Sequence, residues 1–150
     1  MKRVYLYIVI SISALLASCD IVTSDNGKLD GVWQLRTVEN LRTEQTSDGR
    51  DKAVQWAFQG DLLMLKANTG TDFTDVFCRF RHAGNTLELS TPYFSGRFLD
   101  DVNDDVAVED ATSLTIYGIY QLEERFQVLE LNSDVMVLQS DSVCLHFRKY

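Results

Sequence analysis

The chain has 150 residues, of which 45% are apolar, 11% aromatic and 24% charged, and its formal charge is −8. This is a globular composition with room for one domain, which excludes a multidomain assembly, a disordered tail and a multispan membrane protein. It also argues against nucleic acid as a partner, because no basic stripe offsets the acidic surplus.

Lys2 and Arg3 precede an almost wholly apolar run over residues 4–17, which closes on Leu16-Ala17-Ser18-Cys19. The run is shorter than the roughly 20 residues that cross a bilayer and ends in small side chains, so residues 1–18 are expected to be a signal peptide. Leu16 to Cys19 resemble the lipobox of bacterial lipoproteins, which implies cleavage before Cys19 and acylation of its thiol. Removing Lys2 and Arg3 from the 14 basic side chains leaves 12 against 22 acidic ones, a net charge of −10. Anionic headgroups would repel such a domain, and its membrane partner is engaged through the acyl chains alone. Residues 19–28 are mostly small or polar and are expected to form a lipidated flexible tether. The expected location is the cell envelope, at the outer membrane.

From Leu29 onward apolar residues recur at alternate positions in short runs bounded by Gly, Asn, Asp or Ser, the pattern of half-buried strands. Eight are predicted, over 31–39, 53–59, 62–67, 74–82, 85–91, 126–131, 135–140 and 143–149. Trp33 and Leu35 share one face of the first, and Val54, Trp56 and Phe58 one face of the second. Gly60-Asp61 and Ala83-Gly84 have the chemistry of tight hairpin turns. Eight short antiparallel strands laid flat would leave two unpaired edges, so the all-β expectation is a closed eight-stranded up-and-down barrel. Direct hairpin succession favours it over a sandwich, whose crossovers are longer. Residues 92–121, the long insertion before the last three strands, exceed a plain loop and predict a lid, an added strand around 114–119, or both.

The run Leu29-Asp30-Gly31-Val32-Trp33-Gln34-Leu35 resembles the first strand of lipocalins, marked by Gly-x-Trp at the barrel floor. At the other end, Phe126-x-Val128-x-x-Leu131, Met136-x-Leu138-x-Ser140 and Leu145-x-Phe147-Arg148-Lys149 are similar to the last three strands of the lipocalin-like lipoproteins of gut Gram-negative bacteria, a family of unknown function. The resemblance implies a fold and an address. It also implies that a basic side chain near the end of the last strand stacks over the first-strand Trp. Gly31, Trp33 and Arg148 are the expected closing set, with Lys149 the other candidate.

Neither His82 nor His146 sits in a catalytic motif, so no enzyme activity and no cofactor are expected. Cys78 and His82 are about 13 Å apart along a strand, too far to share a metal ion. Cys144 and His146, about 7 Å apart along theirs, could share one only if a neighbouring strand supplied ligands, and the reading is that no metal is bound. Cys78 and Cys144 are the thiols left to form a disulfide in an oxidising compartment, although strand parity points Cys78 inward and Cys144 outward. The acidic run from Asp100 to Asp105 imitates a calcium loop but lacks its glycine and closing glutamate, and reads as a solvated loop. Arg79 and Arg81 are expected to point outward. Trp56, Phe58 and Phe80 within the barrel, with Tyr93, Phe94, Arg97 and Phe98 at its rim, are the ligand-binding candidates, and the rim aromatics equally read as a plug. The expectation is a non-enzymatic, lipid-anchored barrel binding a small apolar or glycan-like ligand in its mouth. The alternative is a side-chain-filled barrel acting as a tethered scaffold for another envelope protein.

Overall fold

A computed structural model describes residues 25–68, 73–96 and 104–150. Cys19, Arg97, Phe98 and residues 100–103 of the acidic run therefore lie outside the described residues. Ten strands follow in chain order: β1 (Gly31–Asn40), β2 (Gln45–Asp48), β3 (Gln55–Gln59), β4 (Leu62–Asn68), β5 (Phe73–Ala83), β6 (Thr86–Phe94), β7 (Val106–Ala107), β8 (Glu124–Leu131), β9 (Val135–Gln139) and β10 (Val143–Lys149). No helix among the described residues is long and apolar enough to cross a membrane.

The pairing runs β1-β3-β4-β5-β6-β8-β9-β10, and β10 returns to pair with β1, so eight antiparallel strands close into a barrel. All eight predicted strands are present. β2 is an addition: it pairs with the upper half of β1, while β3 pairs with the lower half on the same side. Gln45 to Asp48 are all polar and exposed, so no alternation announces them. They are held by backbone pairing to β1.

The long connection corrects one expectation. Residues 114–119 do not form a strand; a 3-10 helix spans Ala111–Tyr117, β6 runs on to Phe94, and between β6 and β8 the described residues hold one further strand, the two-residue β7 paired with β6. The three-residue spacing of Leu114 and Tyr117 places both on one face of a 3-10 turn, and both are buried. Asp110 caps the start by accepting from the Thr112 N–H, and Gly118 ends it in the left-handed region at φ 84°, its N–H directed to the Leu114 and Thr115 carbonyls.

The core is the barrel interior. Trp33, Trp56, Phe126, Leu35, Leu63, Leu65, Leu87 and Met136 are below 2% exposed. Trp56 is the hub: its ring centroid lies 5.0 Å from that of Phe147, 5.9 Å from Phe126 and 6.2 Å from Phe58. Its Nε1–H donates to the Tyr117 carbonyl at 3.2 Å, tying the 3-10 helix to the barrel.

Candidate functional site

Of the ligand-binding candidates, Trp56, Phe58 and Phe80 come together, but as packing. Phe58 and Phe80 meet edge to face at 5.0 Å, and all three are buried. Trp56 and Phe58 belong to the buried core, while Phe80 also borders a cleft on the β6 side of the barrel. At the rim, Phe94 packs against the core, while Tyr93 stacks on Phe77 at 5.7 Å across the β5–β6 pair. Phe94 thus belongs to the core side, and the Tyr93–Phe77 stack to the outer face of the sheet. Arg79 and Arg81 point outward and pair with Asp61 and Glu88.

Above the barrel mouth Glu124 is buried, and its carboxylate accepts from the Tyr120 N–H at 2.9 Å, pinning the turn between the 3-10 helix and β8. Burial pushes its pKa above the usual carboxylate range, against the pull of its hydrogen bonds. The folded state therefore holds this proton more tightly than the unfolded chain. Glu124's share of stability is complete below the ordinary glutamate pKa and is lost as pH rises through the raised value. Glu124→Gln is expected to remove that slice of the pH dependence, seen in urea unfolding from pH 4 to pH 7.

The polar chemistry gathers instead on the outside of the seam where β1 meets β10. A β-bulge between Leu35 and Thr37 governs it. Uninterrupted alternation from Trp33 and Leu35 would turn Glu39 inward; the extra residue puts Val38 against the core and Glu39 outside, opposite Cys144. Leu145 and Phe147 face inward, so Cys144 and His146 share the outer face with Glu39. His146 Nε2 lies 3.1 Å from Glu39 Oε1 and 3.6 Å from Cys144 Sγ. The neighbouring strand thus supplies the carboxylate that no motif announced.

Next to this group lies an open cleft of about 680 Å³, lined by Arg36, Thr37, Thr46, Ser47, Asp48, Arg50 and Arg148. Arg50 is paired with Asp48, whose carboxyl it holds down at about 2. Among the described residues the buried Arg36 Nε has no hydrogen-bond partner. A second cleft, of about 540 Å³, lies beside the β6–β8 pairing and is lined by Phe80, Arg81, Glu88, Leu89, Ser90, Glu123, Glu124 and Arg125.

The disulfide expectation is corrected. Cys78 and Cys144 are both free, Cys78 inside the barrel and Cys144 outside it, with the sheet between them. Burial pushes the Cys78 thiol up to about 12, which leaves it inert.

The closed barrel is one that known proteins share. The family model described as a lipocalin-like domain matches residues 14–150. The chain belongs to the lipocalin-like domain family. A solved lipocalin-like protein from Bacteroides uniformis is 19% identical, with a TM-score of 0.62, and the match covers 83% of this chain and 100% of that one. An uncharacterized protein from Bacteroides eggerthii is 17% identical, with a TM-score of 0.56 over 81% of this chain and 98% of its own. Both support the fold. Among curated proteins no relative matches.

In this lipocalin-like chain the cation over the first-strand indole is Lys149, not Arg148. Trp33 lies opposite Lys149 in the register, and the Lys149 Nζ sits 4.8 Å from the indole centroid. Arg148 has the opposite parity and lines the outer cleft. Gly31, at φ 107°, leaves room for this: a Cβ there would come within 3.1 Å of the Lys149 Cε. The ammonium also donates to the Lys28 carbonyl at 2.9 Å, and the Trp33 Nε1–H to the Leu29 carbonyl at 2.7 Å, sealing the floor. Lys149→Ala is expected to cost about 1–2 kcal/mol from the lost cation–π contact and hydrogen bond. Arg148→Ala should cost no more than about 0.5 kcal/mol, as for other exposed sites; parallel urea titrations measure both.

Proposed function

We propose that the protein is a non-catalytic lipoprotein of the cell envelope, held at the outer membrane by acyl chains on Cys19, whose barrel is a rigid support for contacts made on its outer surface. The filled interior carries this reading. Where a transport barrel would leave a hollow, the Trp33, Trp56, Phe58, Phe126 and Phe147 side chains pack against their neighbours at no more than 2% exposure. The lipobox-like Leu16-Ala17-Ser18-Cys19 supports the anchor, and the acidic surplus leaves no electrostatic route to a membrane. The outer cleft, with Arg36 and Arg148, is the contact surface for an envelope protein partner.

Titration of the full-length protein with fatty acids, bile acids, haem and oligosaccharides should leave the emission of Trp33 and Trp56 unchanged. A saturable change with any of them overturns the filled-barrel reading. It would favour a second one, a small apolar or glycan-like ligand entering by the cleft beside Phe80 and Leu89. The anchor is tested separately: Cys19→Ala should abolish incorporation of labelled palmitate and move the protein to the soluble fraction. Retention of label in that variant would refute lipidation at Cys19.

A further inference from the structure

On the outside of the closing seam a thiol, an imidazole and a carboxylate converge. Cys144 Sγ, His146 Nε2 and a Glu39 carboxylate oxygen all lie within 4.8 Å of one another. His146 Nε2 faces the sulfur at 3.6 Å and the carboxylate at 3.1 Å. That nitrogen carries at most one proton, so hydrogen bonding from it serves only one of the two neighbours. A cation at the centre serves all three.

We propose that Glu39, Cys144 and His146 form a binding site for a transition-metal dication, with zinc the best fit. Around a tetrahedral zinc with ordinary bond lengths, a thiolate sulfur and an imidazole nitrogen stand about 3.6 Å apart, and the nitrogen and a carboxylate oxygen about 3.3 Å. The separations on the seam, 3.6 and 3.1 Å, are already close to these. The Glu39 side chain is 45% exposed and free to rotate and close the third edge. A mixed sulfur, nitrogen and oxygen set suits zinc, whereas magnesium and calcium take oxygen ligands.

The surroundings allow it. Gln139 faces Cys144 across β9 and Thr46 faces Glu39 across β2, while Thr37 and Val137 flank His146. None of these four carries a charge, Arg36, Arg50 and Arg148 lie in the adjoining cleft with Arg50 paired to Asp48, and the fourth position falls to water or to the Gln139 amide. Binding converts the Cys144 thiol to a thiolate and releases one proton to solvent. Without metal, burial and the Glu39 charge raise this thiol's pKa; a cation reverses that preference. Because Glu39 belongs to β1 and the other two ligands to β10, the ion would staple the first strand to the last.

Equilibrium dialysis of the reduced full-length protein against zinc is expected to give one ion per chain. Cobalt should substitute with thiolate-to-metal charge-transfer absorption, and calcium and magnesium should not compete. Cys144→Ser, His146→Ala and Glu39→Gln are each expected to weaken binding by roughly 10–100-fold or more. All three positions face outward, and unchanged near-ultraviolet circular dichroism would confirm that the variants fold. Zinc at a hundredfold excess over its Kd should raise Tm by roughly 5–10 °C, and should slow alkylation of Cys144. Failure to bind zinc at micromolar concentration overturns the proposal, as does wild-type affinity in the three variants.

Discussion

Trp56→Ala is expected to cost about 3–5 kcal/mol, the range for deleting a large buried aromatic. Small domains are stable by only about 5–15 kcal/mol, so the variant should be partly unfolded at 37 °C. The effect is large because one side chain ties its own strand, β3, to three other elements. Its ring touches Phe58, Phe126 and Phe147 from β3, β8 and β10, and its Nε1–H holds the carbonyl of Tyr117. Truncation opens a cavity that the surrounding rings, held on three strands, cannot refill, and removes the hydrogen bond to the Tyr117 carbonyl. Trp56→Phe keeps most of the apolar volume and loses the donor, and should cost about 1–2 kcal/mol. Urea unfolding followed by far-ultraviolet circular dichroism separates the two. A loss under about 1 kcal/mol for the alanine variant would mean that the interior is not tightly packed.

Gly118→Ala is the second large effect, expected at about 2–4 kcal/mol from two sources. The backbone there is left-handed, at φ 84°, and a Cβ would lie 2.7 Å from the Leu145 Cδ2. Leu145 is fully buried on β10 and has nowhere to go. The two sources can be separated. Shortening Leu145 to alanine removes the clash and leaves the backbone cost, so the double variant should lose less than the sum of the single losses. Strict additivity would show that steric contact with Leu145 is not the problem.

Much of this architecture is legible in the residues. Period-two alternation locates the eight barrel strands, and the Gly-x-Trp run marks the floor. Parity also held an answer that the resemblance obscured: with Leu145 and Phe147 inward, Lys149 had to face Trp33 and Arg148 had to face away. Other features leave no such mark. Gln45 to Asp48 carry no apolar residue, so their pairing rests on backbone hydrogen bonds and on the Ser47 hydroxyl donating to the Val38 carbonyl. The bulge at Arg36 inverts the parity of everything after it on β1, which hides Glu39 from its partners across the seam. Leu114 and Tyr117 sit three apart within a stretch too short to establish a period. Whether a barrel is hollow or filled depends on how Trp33, Trp56 and Phe126 interlock, and alternation says only that they point inward.

The pairing of Asn40 with Val143 joins strands from opposite ends of the folded chain. Such contacts carry the greatest loop-closure cost and form late. A nascent polypeptide that lacks the β9–β10 hairpin has no complement for this edge of β1, so the ring stays unfinished until β10 emerges. Until then two sheet margins lie bare and prone to mispair with other chains, and a premature stop anywhere before β10 should yield aggregates rather than a smaller stable unit.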